Sequence, residues 1–119
     1  TSKLMLIGQI PEAGWDVPQM MIYRLRFEGD NSQSLSTSFA RYQNANARNI
    51  AMFKSLERHG NIDFFDPSRL VCSEETGRCL NEIDGQPLYR DDDHPSQLYA
   101  TKIADAVIAQ LSASGAREP

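Results

Sequence analysis

The sequence predicts an α/β fold built on a parallel sheet. Two short apolar runs, LMLI at residues 4–7 and IDFF at 62–65, have strand length, and two helix-period stretches lie between them. Strands alternating with helices, joined by crossovers of this length, are the pattern of parallel sheets with right-handed connections.

Each element has a local cause. LMLI is continuous rather than alternating and ends at Gly8, which fits a strand buried on both faces. Pro11, Gly14 and Pro18 punctuate the loop that follows, and Pro18 is suited to the first turn of a helix running to about Phe27. Residues 28–36, EGDNSQSLS, read as a second loop. From about Thr37 to His59, Phe39, Tyr42, Ile50, Phe53 and Leu56 recur at helical spacing, and Gly60 closes this long helix at the position glycine favours. After the strand 61–66, DPSRL gives one helical turn, and Asp84-Gly85 centres a β-hairpin in CLNEIDGQPLY. A final helix runs from Ser96, its N-cap, to about Leu111, with Leu98, Ile103, Val107 and Leu111 inward. Residues 1–112 then form the folded part, and 113–119 a disordered tail.

At 119 residues the chain holds one domain at most. Two central strands are few for a sheet that needs both faces covered, so the expectation is the second half of a larger domain, its earlier strands supplied upstream or by another chain. The net charge is −4, and the basic residues are scattered rather than striped, which argues against nucleic acid as a partner. The longest apolar runs, LMLIG and MMIY, fall far short of the roughly 20 residues of a transmembrane helix.

Cys72 and Cys79 flank a turn-prone segment, SEETGR. Paired, they would close a small loop and stabilise the fold by about 2.5 kcal/mol, provided the compartment is oxidising. Two free thiols in a reducing compartment fit the spacing equally well. Zinc fits less well, because two cysteines without a second pair or a partner histidine fall short of four ligands.

The segment YRDDDHPSQ, residues 89–97, gathers three aspartates and a histidine ahead of the last helix. Asp91 and His94 stand three apart, so a carboxylate can reach an imidazole across one turn. A carboxylate on one ring nitrogen fixes the tautomer and leaves the other nitrogen free to take a proton from a serine hydroxyl. The alternative is that Asp91, Asp92 and Asp93 are solvated charges favoured near the positive end of a helix. A metal site is poorer, since no further ligand cluster accompanies the aspartates and His94. Trp15, in the loop after the first strand, is either a sugar-stacking platform or a partly buried anchor, and burial tendencies favour the anchor. Arg90 reads as a solvated cation rather than a contact for an anionic glycan. In open α/β sheets, sites lie beyond the carboxyl ends of the strands, so the loop after LMLIG and the RDDDH loop are expected at one edge.

Taken in order, LMLIGQIPEAGWDVP, FFDPSRLVC with a second cysteine soon after, and DGQPLYRDDDHPS resemble the carboxyl-terminal half of the SGNH (GDSL-like) hydrolase domain fused to bacterial membrane acyltransferases of the acyltransferase-three family. The resemblance runs from about Leu4 to Leu111. It implies an incomplete three-layer, flavodoxin-like fold with a parallel sheet. It also implies that Asp91 and His94 are two members of a Ser-His-Asp triad, with no cofactor or metal. The implied activity is O-acylation of a cell-envelope polysaccharide on the outer face of the cytoplasmic membrane, and the rivals are a carbohydrate esterase and a non-catalytic glycan-binding or docking module. The partners implied are the upstream part of the same domain, a membrane acyltransferase domain, an acyl donor and a carbohydrate. That location favours the Cys72–Cys79 disulfide.

The chain departs from the family in lacking the Gly-Asp-Ser motif and the oxyanion-hole glycine and asparagine. Ser2, Ser32, Ser34, Ser36 and Ser38 stand in no such context, so this chain alone is expected to be catalytically incomplete. Pro95 replaces a usual leucine, and Tyr99 stands where glycine is common, which is expected to change how the last helix packs.

Overall fold

The computed structural model describes residues 4–27, 35–60 and 62–115, with no side-chain description for 114 and 115. The loop reading of 28–36 therefore falls largely outside the described residues, as do Ser2, Ser32, Ser34 and the last four residues of the tail.

Strand β1 (Leu4–Ile7) pairs in parallel with β3 (Ile62–Phe65), Leu4 opposite Ile62 and Ile7 opposite Phe65. Between them run helix α1 (Val17–Phe27), strand β2 (Ser36–Ser38), and helices α2 (Phe39–Ala45) and α3 (Ala47–Glu57). This is the α/β arrangement with a parallel pair, supplemented by small antiparallel sheets. Gly8 lies close under the Phe64 ring: a Cβ there would meet the ring at 2.9 Å and force it to shift, while the Gly8 N–H donates to the Phe65 carbonyl at 2.8 Å.

Three expectations need correction. The long helix divides at Asn46, which caps the end of α2 and precedes α3, its side-chain amide donating to the Tyr42 carbonyl at 3.0 Å. An asparagine side chain that bonds nearby backbone competes with helix continuation, and the absence of glycine or proline here hid that break. The helix also starts later than Thr37, because residues 36–38 pair antiparallel with β5 (Arg78–Leu80), after which Ser38 caps α2 by accepting from Arg41 N–H at 3.2 Å. Finally, β1 is not covered on both faces by the described residues: Leu4 and Ile7 are about half exposed.

Beyond β3, Asp66 caps a 3₁₀ turn at Pro67–Leu70, the helical turn expected in DPSRL. Strand β4 (Cys72–Ser73) then pairs with β5, placing Cys72 opposite Cys79, and the two are disulfide-bonded. The next hairpin joins β6 (Glu82–Ile83) to β7 (Gln86–Pro87) through Asp84 and Gly85, at φ 51° and 76°. Positive φ at both central residues is the two-residue turn whose twist matches its strands, as Asp-Gly predicts.

Helix α4 (Gln97–Gly115) begins after Ser96, whose hydroxyl accepts from Tyr99 N–H at 3.3 Å. It runs four residues past Leu111, so the expected tail is helical through 115. Leu111 itself is exposed rather than inward, whereas Leu98 and Ile103 pack on the core.

That core consists of Ala13, Val17, Val71, Leu88, Tyr89 and Tyr99. Tyr89 and Tyr99 are fully buried and meet edge to face, 5.9 Å between ring centres. Such a contact adds roughly 0.5–1.5 kcal/mol beyond area burial. Tyr99 is thus a core residue of α4. Its hydroxyl donates to the Pro67 carbonyl at 2.9 Å and that of Tyr89 to the Pro11 carbonyl, so neither buried O–H is left unpaired. The core lies beneath the loop that follows β1 and beneath the segment that leads into α4.

Candidate active site

The segment between β7 and α4 is a closed loop with both ends in the core. Leu88 and Tyr89 anchor one end; Tyr89 pairs with Pro95, and Ser96 N–H donates to the Leu88 carbonyl at 2.8 Å. Arg90 N–H donates to the His94 carbonyl at 2.9 Å, which tightens residues 90–94 into a narrow turn. Within it, Asp91 Oδ1 accepts from Asp93 N–H at 3.0 Å and from His94 N–H at 2.7 Å. Aspartate favours such turns because its short side chain can bond backbone two or three residues on.

Those backbone bonds leave the second carboxylate oxygen directed at the imidazole. Asp91 Oδ2 lies 2.8 Å from His94 Nδ1, and Asp93 Oδ1 lies 2.9 Å from the same nitrogen. Two carboxylate oxygens facing Nδ1 place the proton there. Neutral His94 then carries its lone pair on Nε2, for which the described residues supply no hydrogen-bond partner.

The electrostatics follow from the same contacts. Asp91 is held down to about 2, mainly by the backbone N–H groups of Asp93 and His94 and then by His94 itself. His94 is raised above the ordinary imidazole value, first by its hydrogen bond to Asp91 and then by the charges of Asp91 and Asp93. Each group remains substantially exposed, with 59% of the His94 side-chain surface open to solvent. An ionised carboxylate behind an accessible imidazole is suited to taking and returning a proton.

The loop is tied to the carboxyl end of β1, as expected. Ala13 N–H donates to the Asp92 carbonyl at 2.8 Å and Val17 N–H to the Asp91 carbonyl at 3.3 Å. Trp15, in the same loop, donates its indole N–H to Asn81 Oδ1 at 3.2 Å, which makes it an anchor, though it is still about a third exposed. Arg90 is exposed, in keeping with solvation.

The role of Asp93 escaped sequence reasoning, which placed it among the solvated aspartates. Its spacing of one from His94 carries no helical or strand signal, and only the narrow turn brings its oxygen to Nδ1. The three ligand-type atoms of Asp91, Asp93 and His94 lie within 4.8 Å of one another. A proton on Nδ1 satisfies this arrangement as it stands.

Sequence reasoning also missed a groove of about 600 Å³ between the loop after β1 and the β2–α2 segment. Arg41, Asn46, Asn49, Arg78 and Trp15 line it, and His94 does not. Its walls come from elements remote in sequence, so no local pattern announces it.

The family described as "SGNH domain (fused to AT3 domains)" matches residues 1–109. No curated protein and no solved structure matches the chain.

Proposed function

Because the chain belongs to the family of SGNH domains fused to AT3 domains, an acyl-related hydrolase or transferase module, we propose that His94 is the general base and then acid, and Asp91 the residue that orients it, in a serine-dependent acyl transfer onto a cell-envelope polysaccharide. The observation that carries this reading is the 2.8 Å contact between Asp91 Oδ2 and His94 Nδ1, with Nε2 left unpartnered by the described residues.

In the complete enzyme a serine outside these 119 residues attacks the ester carbonyl. His94 Nε2 accepts the hydroxyl proton as the tetrahedral intermediate forms and returns it to the leaving group. In the second half it deprotonates the acceptor, a sugar hydroxyl, the acyl group passes from the serine oxygen to that oxygen, and the imidazolium returns the proton to the serine. Asp91 holds the ring through Nδ1 and stabilises the imidazolium, and Asp93 adds negative charge on the same side. Fusion to AT3 domains supports association with a membrane, and among the described residues no helix is long and apolar enough to cross one. The outer face of the cytoplasmic membrane suits the disulfide, which needs an oxidising compartment.

The test is the full-length protein supplied with an acyl donor and a glycan, with and without His94→Ala. Loss of on the order of 10³-fold in acylated product is expected, in the range for removal of a general base. Unchanged turnover would eliminate the role given to His94, and free acid in place of acylated sugar would assign the module as an esterase.

A further inference from the structure

We propose that the groove between the loop after β1 and the β2–α2 segment is a subsite for an acidic carbohydrate, distinct from the Asp91–His94 turn. Its composition sets it apart from the rest of the surface. The chain is acidic, at −4, yet the groove lining carries two guanidinium groups, Arg41 and Arg78, against one carboxylate, Glu12. The remaining polar lining is uncharged: the amides of Gln9, Asn46 and Asn49, the Tyr42 side chain and the hydroxyls of the short strand β2. Amides and hydroxyls are the donors and acceptors that match ring hydroxyls of a sugar, and a planar guanidinium matches a carboxylate or phosphate through two parallel bonds.

The site is also partly built in advance. Arg78 is held by Ser36, Nε donating to the hydroxyl at 3.0 Å and Nη2 to the carbonyl at 2.8 Å, which leaves its remaining N–H groups for a ligand. Trp15 is pinned through its indole N–H to Asn81, so the one tryptophan of the chain lines the groove in a set orientation. An aromatic ring fixed beside uncharged polar groups provides an apolar face for the C–H side of a pyranose. Arg41 makes no side-chain hydrogen bond or ion pair among the described residues, so it is available to the anionic substituent. The Ala13–Asp92 bond ties the wall of this groove to the turn that carries His94. A sugar bound here would therefore be registered against the reacting group, and this clause alone rests on the acyl-transfer reading.

The experiment measures binding to the full-length protein of three tetrasaccharides: a neutral glucan, a polyuronate and a glucan bearing a phosphate ester. Either acidic ligand is expected to bind at least tenfold tighter than the neutral one, and the tighter of the two identifies the anion as carboxylate or phosphate. Arg41→Gln is expected to weaken that acidic ligand five- to tenfold and leave the neutral one unchanged, with the thermal midpoint preserved. Raising salt from 50 to 500 mM, about a threefold contraction of the screening length, should erode the preference. Equal affinity for neutral and acidic ligands, no measurable binding, or an Arg41→Gln variant with full acidic affinity would each overturn the proposal. Arg41→Lys, which keeps the charge and loses the fork, covers the case in which Arg41→Gln fails to fold, and is expected to lose two- to fivefold; full affinity there overturns the two-bond recognition. His94→Ala separates the two readings: turnover that survives it removes the catalytic role and leaves the groove intact, whereas lost turnover without acidic preference does the reverse.

Discussion

His94 faces two carboxylates on one nitrogen, and its pH response follows from that. Its folded value is raised, so the ion pair stabilises the protein fully below the unfolded imidazole value near 6.5 and this contribution is lost as pH rises through the folded value. Asp91, depressed to about 2, acts in the opposite sense: its contribution is present above 3.8 and lost as pH falls toward about 2. On the proposed role of His94 as general base, the imidazole must be neutral, so kcat/KM of the full-length protein is expected to rise with pH through an apparent pKa above 6.5. Asp91→Asn should move that limb downward and cost roughly 10²- to 10⁴-fold in rate, because it removes one of the two carboxylates that hold the proton on Nδ1 and the negative charge that stabilises the imidazolium; an unmoved limb would detach Asp91 from His94. At the same scale, Tyr99→Phe removes a buried hydroxyl and the bond it donates to the Pro67 carbonyl. Urea unfolding is expected to report a loss of about 1–2 kcal/mol, and no loss would mean that the bond contributes nothing in solution.

Among the elements, the disulfide hairpin and the capped last helix place the two edges of the site. The Cys72–Cys79 bond ties β4 to β5, and β5 carries Arg78 to the groove and pairs with β2. Replacing both cysteines by serine is expected to lower stability by about 2.5 kcal/mol, the chain-entropy value for so short a loop. A denaturation midpoint unaffected by reductant would contradict that. Much of this level was legible in the sequence: Asp84-Gly85 specified its turn because both residues tolerate positive φ, and Ser96 specified the start of α4 because its hydroxyl can bond the N–H three residues on. Strand β2 was not legible, since Ser-Thr-Ser has no apolar alternation and exists only because β5 offers it a partner. The break at Asn46 was hidden for a related reason, one side chain competing locally against an otherwise continuous helical pattern.

Across the whole molecule, burial is uneven. The radius of gyration is 16.4 Å, where a compact domain of this length has about 13.5 Å. Ile22, Leu25 and Phe27 on α1 and Ile108 on α4 are all more than half exposed, as is the outer part of β1. Ile22 and Leu25, three apart, share one face of α1, and an exposed apolar patch of that kind marks an interaction surface or an aggregation liability. Residues 1–119 prepared alone are therefore expected to bind a hydrophobic dye and to self-associate in sedimentation, and the full-length protein to do neither. A monomeric, dye-silent chain would contradict this.

What the sequence determined unaided is local: that the runs LMLI and IDFF are strands, where the glycine turn falls, which serine caps the last helix, and that an aspartate and a histidine three apart lie within reach of each other. Each depends on neighbours within about four residues, where backbone geometry is nearly sufficient. The tertiary structure alone decided the second carboxylate on Nδ1, the burial of Tyr99 against Tyr89, the seating of the Asp-His turn on the loop after β1, and the assembly of Trp15, Arg41 and Arg78 around one groove. These juxtapose residues far apart in the chain or depend on a closed turn, and packing, not local pattern, sets which of them meet.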